Sequence, residues 1–150
     1  MGLSRLHSFL RRHSRIGIDT SIFIYEVEQN PAYAELAHHV FGWLERPGHA
    51  AVTSTITLTE CLVRPYREAD ARRVNEFYAL LSTYPNLEWI APNTQTADLA
   101  ARLRAEHRLR TPDALQAATA KLAGVGGFLT NDPIFERVAA FETLVFDQLL

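Results

Sequence analysis

Cysteine is almost absent from the chain: Cys61 is the only one in 150 residues, so no internal disulfide can form. Without Cys or His partners at ligand spacing it marks no zinc site, and it reads as a small buried apolar residue. No apolar run approaches the roughly 20 residues that span a bilayer, which excludes a membrane helix. The opening MGLSRLHSFLRRHSR is interrupted by Arg and His before a hydrophobic signal region forms, so no secretory leader is expected and the cytoplasm is the expected compartment. Internal repeats, low-complexity tracts and linkers are also missing. That leaves one domain, of a size that buries roughly two-thirds of its unfolded surface. A global excess of positive charge is missing as well: the net charge is -2, so the chain as a whole lacks the basic footprint of a nucleic-acid binder.

What is present is the balance of a soluble globular domain, with 47% hydrophobic and 21% charged residues. Basic side chains are concentrated locally. Arg5, Arg11, Arg12 and Arg15 cluster near the start, and Arg102, Arg104, Arg108 and Arg110 cluster ahead of Pro112. Lys121 is the only lysine among the 15 basic residues, and the planar fork of arginine suits phosphate oxygens.

Short apolar runs alternate with helical periodicity. RIGID, HAAVTS, LEWIAP, GFLT and TLVFD read as strands. SIFIYEVEQ begins a helix that Pro31 interrupts, and Leu36, Val40, Trp43 and Leu44 recur at helical spacing up to Pro47 and Gly48. TITLTECLVRPY predicts a helix with Ile56 and Glu60 on one face. Arg67 to Tyr84 predicts a longer one with Val74, Phe77, Tyr78 and Leu81 inward. TQTADLAARLRAEHR and TPDALQAATAKLAG complete the set, the latter with Thr111 as N-cap and Pro112 at the first helical position. Strands of four or five residues between helices of ten or more predict an α/β fold: a mainly parallel sheet of about five strands, covered on both faces. In such sheets sites form outside the carboxyl ends of the strands, where Asp19 and Asp132 fall.

Singly, each notable acid has a plain structural explanation. Asp19 and Asp132 suit a helix cap and an Asx turn, Asp113 offsets a helix dipole, and Glu60 can lie on an exposed face. Together, two strand-end acids and two acids near helix starts converge on one sheet edge. Clustered carboxylates raise each other's pKa and need a neutralising cation. With oxygen donors alone, the expected ion is Mg²⁺ or Mn²⁺, completed by substrate phosphate oxygens, and the chemistry is phosphoryl transfer or phosphodiester hydrolysis.

IGIDTSIFIY, STITLTECL, RTPDALQAATA and FLTNDPIF, in this order, resemble the four acidic motifs of the PIN-domain nucleases, most closely the VapC-type ribonuclease toxins. The resemblance runs from Ile16 to about Asp147. It implies a three-layer α/β/α fold over residues 16–150, with residues 1–15 as a basic extension: an RNA-contacting arm, a docking helix or a misplaced start. It implies metal-binding acids at Asp19, Glu60, Asp113 and Asp132 and a supporting hydroxyl at Thr130, with Thr20 and Asn131 shaping the turns. Asp19 is expected to be shared between metal positions, Glu60 and Asp113 to serve the first and Asp132 the second. The implied activity is Mg²⁺- or Mn²⁺-dependent endoribonuclease, with RNA drawn in by Arg104, Arg108 or Arg110. The implied partners are a small antitoxin and a second copy of the chain in a homodimer. A housekeeping PIN nuclease, a metal-dependent phosphatase-like domain and a catalytically silent binding module are the competing readings. Against the phosphatase, Ser21 stands where an Asp-x-Asp motif needs its second acid.

Overall fold

The computed structural model describes residues 1–150. Five strands form a wholly parallel sheet: β1 (Arg15–Ile18), β2 (Ala50–Ser54), β3 (Leu87–Ile90), β4 (Gly127–Thr130) and β5 (Glu142–Val145), in the order β3-β2-β1-β4-β5. Parallel neighbours cannot be joined by tight turns, so helices carry the chain back between strands. These are α2 (Thr20–Glu28) and α3 (Ala34–Leu44), α4 (Ile56–Arg67) and α5 (Ala71–Thr83), and α6 (Thr94–His107) and α7 (Thr111–Leu122). A short 3-10 turn, Pro133–Arg137, links β4 to β5, and a second, Phe146–Leu149, closes the chain. No helix is long and apolar enough to cross a membrane.

The alternation of strand side chains builds two cores. Ile16, Ile18, Ala51 and Leu129 face the layer of α2 to α5, while Val52 and Phe128 face α6 and α7. On the second face the alanines of α7, among them Ala117 and Ala120, let the helix lie close over β1. Gly17 belongs to that fit, because a Cβ there would stand 2.6 Å from Phe128 Cδ1 and 3.1 Å from Ala120 Cβ. The three-layer α/β/α architecture read from the sequence is therefore the one observed.

Residues Gly2–Arg12 form a further helix, α1, whose Leu6, Phe9 and Leu10 are buried in the first core. The Phe9 ring lies over Gly127 of β4, where a Cβ would come within 2.4 Å of it. Beyond α1, His13 Nε2 lies 2.8 Å from Glu142 Oε2, and the Arg12 guanidinium pairs with the same carboxylate.

Three local expectations are corrected. Tyr78 is 45% exposed rather than inward. The break between α4 and α5 falls after Arg67: Ala69, at φ 51°, ends the first helix, and the Asp70 carboxylate accepts from Arg73 N at 3.0 Å to cap the second. In α7 the N-cap is Arg110, not Thr111, which already lies in the helix with Pro112 behind it.

Candidate active site

All four acids lie along the carboxyl edge of the central strands. Asp19 follows β1 and caps α2: Oδ1 accepts from Thr20 N at 2.9 Å, and Oδ2 accepts from Thr130 Oγ1 at 2.7 Å. Its own N–H donates to Leu129 O at 2.9 Å, extending the β1–β4 pairing to the last residue before the helix. Only 9% of Asp19 is exposed. Thr130 ends β4 fully buried, and its hydroxyl also accepts from Asp132 N at 3.0 Å, so one side chain sets two of the acids. Asp132 then caps the following 3-10 turn by accepting from Ile134 N at 3.0 Å.

Glu60 projects from the second turn of α4, where Thr20 Oγ1 donates to its Oε1 at 2.8 Å. Asp113 stands in the first turn of α7, 7% exposed, and its Oδ2 accepts from Arg110 Nε at 3.1 Å. The four carboxylates, Thr20, Arg110 and Asn131 line one cavity of about 350 Å³. Asn131 acts as a brace: Nδ2 donates to the Tyr25 hydroxyl at 2.7 Å and Oδ1 accepts from Asp147 N at 2.6 Å. Of the three arginines singled out, Arg110 reaches this cavity. Arg104 instead donates to Leu109 O and Thr111 Oγ1, holding the α6–α7 turn, and Arg108 closes α6 in the left-handed region at φ 55°.

The electrostatics are unbalanced. Arg110 is the one cation lining the cavity, and it is engaged with Asp113. The Asp19 carboxyl stands at about 7, pushed up first by burial and then by the nearby charges of Glu60 and Asp113, against the lowering effect of the bonds from Thr130 and Thr20. As they stand, no three His, Cys, Asp or Glu side chains converge tightly enough to hold a metal ion, and each of the four carboxylates accepts from a neighbouring donor. The donor chemistry nevertheless suits a hard divalent cation: every group is an oxygen, and the buried charge is negative and under-compensated.

A buried polar network behind the acids went unread in the sequence. Gln116 donates to Thr57 Oγ1 at 2.6 Å and accepts from Ser54 N at 3.3 Å, and Thr57 lies 2.6 Å from Thr53 Oγ1 and 3.4 Å from Thr20 Oγ1. Its signal was a lone amide three residues after Asp113, on the same face of an alanine-rich helix.

Comparison with known proteins adds to this geometry. No curated protein matches the chain. Among solved structures, VapBC2 from Rickettsia felis, bound to a promoter DNA fragment, aligns with TM-score 0.66 and 16% identity over 87% of this chain and 98% of that one. A toxin–antitoxin complex from Klebsiella pneumoniae aligns with TM-score 0.65 and 23% identity over 87% and 97%. VapBC-5 from Mycobacterium tuberculosis aligns with TM-score 0.58 and 21% identity over 88% and 98%. At these identities the likeness is one of fold. The PIN-domain family model matches residues 16–141, spanning all four acids and every strand up to the edge of β5, and on that match the chain belongs to the PIN-domain family.

Proposed function

We propose that this chain is a divalent-metal-dependent endoribonuclease that hydrolyses RNA phosphodiester bonds and serves as the toxin of a type II toxin–antitoxin pair. The observation that carries the reading is the buried Asp19 carboxyl beside Glu60 and Asp113, a concentration of negative charge with one guanidinium to offset it. Family membership supports nuclease chemistry, and the likeness to toxin–antitoxin complexes supports the biological role. A Mg²⁺ or Mn²⁺ ion held by Asp19, Glu60, Asp113 and Asp132 would supply Lewis acidity to water and charge neutralisation at the phosphate.

The rest of the chemistry belongs to the chain. Thr130 and the N-terminus of α2 tether Asp19, Thr20 tethers Glu60, and the cap at Ile134 tethers Asp132, which keeps these carboxylates at one edge of the sheet. Arg110 is the phosphate contact of this reading: its guanidinium is largely exposed at the rim and can pass from Asp113 to an RNA phosphate. Arg104 and Arg108, which do not line the cavity, are the further RNA contacts of this reading. Residues 16–150 carry the nuclease and residues 1–15 extend it. The partners are RNA, a small antitoxin protein and a second copy of the chain.

The decisive experiment incubates the purified chain with a mixed RNA pool and Mn²⁺, with and without EDTA, and maps the new ends. Cleavage that survives chelation, or an Asp113→Asn variant that still binds Mn²⁺ and cuts, refutes the site. Growth arrest on expression that disappears with Asp19→Ala separates a toxin from a housekeeping nuclease.

A further inference from the structure

A larger cavity, of about 510 Å³, lies between α1 and α3. Arg11 and His7 of α1 face His38, His39 and Trp43 of α3 across it, with Arg46 just beyond α3, and no carboxylate lines it. Both helices end here, immediately ahead of β1 and β2, so the cavity sits at the amino edge of the sheet, opposite the acids. One wall is built by α1, which precedes the residues matched to the PIN family.

Arg11 and Arg46 are two of the four arginines whose guanidinium makes neither an ion pair nor a hydrogen bond. All others except Arg67 and Arg108 use the guanidinium in an ion pair or a hydrogen bond. Basic side chains at helix ends offset the macrodipole, but that effect does not call for two guanidinium groups and three imidazoles around a shared hollow, where His38 alone meets a carboxylate, its Nδ1 lying 3.5 Å from Glu26 Oε1. Gly42 adds a second sign. Glycine inside a helix costs about 1 kcal/mol relative to alanine, yet here it lies in α3 on the cavity wall, where a Cβ would meet nothing within 4 Å.

We propose that this cavity is a phosphate-binding site that takes the phosphate of a nucleotide or of an RNA chain. Two unpaired guanidinium forks provide charge-assisted donors of the geometry phosphate oxygens accept. His7 Nε2 and His39 Nδ1 lie 3.4 Å apart, so one proton serves the contact between them and the outward ring N–H remains free to donate. The volume lies in the range of small-molecule pockets and exceeds what a bare phosphate needs, which leaves room for the attached nucleoside beside Trp43 and Leu10.

The test uses the full chain in EDTA, where no metal-dependent cleavage can occur. Inorganic phosphate, a nucleoside monophosphate and a short single-stranded RNA are each titrated by calorimetry against the wild type and an Arg11→Gln/Arg46→Gln double variant. Both side chains are exposed, so the variant should keep the wild-type circular dichroism and melting curve. The expected result is binding by at least one probe that weakens about a hundred-fold in the double variant. Binding of the monophosphate identifies the free nucleotide as the source. Binding of RNA alone, with a shallower salt dependence in the double variant, identifies the RNA backbone. No binding of any probe, or equal binding to both proteins, overturns the proposal. Either result leaves the cleavage experiment at the acidic site independent, because that experiment depends on metal and this one does not.

Discussion

The substitution Asp19→Asn should make the metal-free protein more stable at alkaline pH while removing a metal ligand. The ordinary carboxyl value is 3.8, and in the folded chain it is about 7, raised first by burial and then by Glu60 and Asp113. The folded state therefore keeps a proton that the unfolded chain releases. The stabilising contribution is fully present below about pH 4 and is lost as pH rises through about 7. A proton held across about three pH units corresponds to about 4 kcal/mol, and about 2–3 kcal/mol of that falls between pH 5 and 8.5. The asparagine side chain is nearly isosteric, can still accept from Thr20 N and can donate its amide N–H to Thr130 Oγ1, so the local packing survives.

The assay is urea unfolding of both proteins in EDTA at several values between pH 5 and 8.5. All other titrating groups are shared, so the difference between the two curves isolates Asp19. The stability gap should widen in favour of the variant by about 2–3 kcal/mol over that range. Added Mn²⁺ should stabilise the wild type at pH 8.5 and leave the variant little changed, because a ligand bound only by the folded state raises its stability. A gap that stays constant with pH would refute the buried, charge-crowded Asp19 on which the functional reading stands.

Two further perturbations probe the frame around the acids. Thr130→Val keeps the shape but removes the donor to Asp19 and the acceptor for Asp132 N; it should cost about 1–3 kcal/mol and move the pH dependence of Asp19 still higher, both readable from the same urea series. Phe9→Ala should cost about 3–5 kcal/mol by chemical denaturation, because the ring is fully buried against β4; a loss below about 1 kcal/mol would mean that α1 is not part of the core.

The parts of this molecule that could be read in advance share a physical basis. A carboxylate placed at or just beyond the end of an apolar run has few places to go, so Asp19 and Asp132 marked the strand ends, and with them the functional edge, from local sequence alone. The same holds for Asp113 behind Thr-Pro at a helix start. Hidden were the features whose cause lies far along the chain. Leu6, Phe9 and Leu10 recur at helical spacing, but whether that stripe covers a core depends on Gly127 offering a bare patch of β4 and on Glu142 receiving Arg12, 130 residues away. Tyr78 follows Phe77 on α5, and only the position of the sheet decides which of two adjacent aromatics is buried. Gln116 is one polar residue among alanines until Thr57 and Ser54 arrive from another segment to satisfy it. The distinction between paired and unpaired arginine is of the same kind. Arg11 and Arg12 are neighbours in sequence and point to different sides of one helix turn, so one is consumed by Glu142 while the other is left facing a cavity. Local sequence thus announces where a charge leaves the core, and the fold decides whether that charge is taken up by structure or remains free for a ligand.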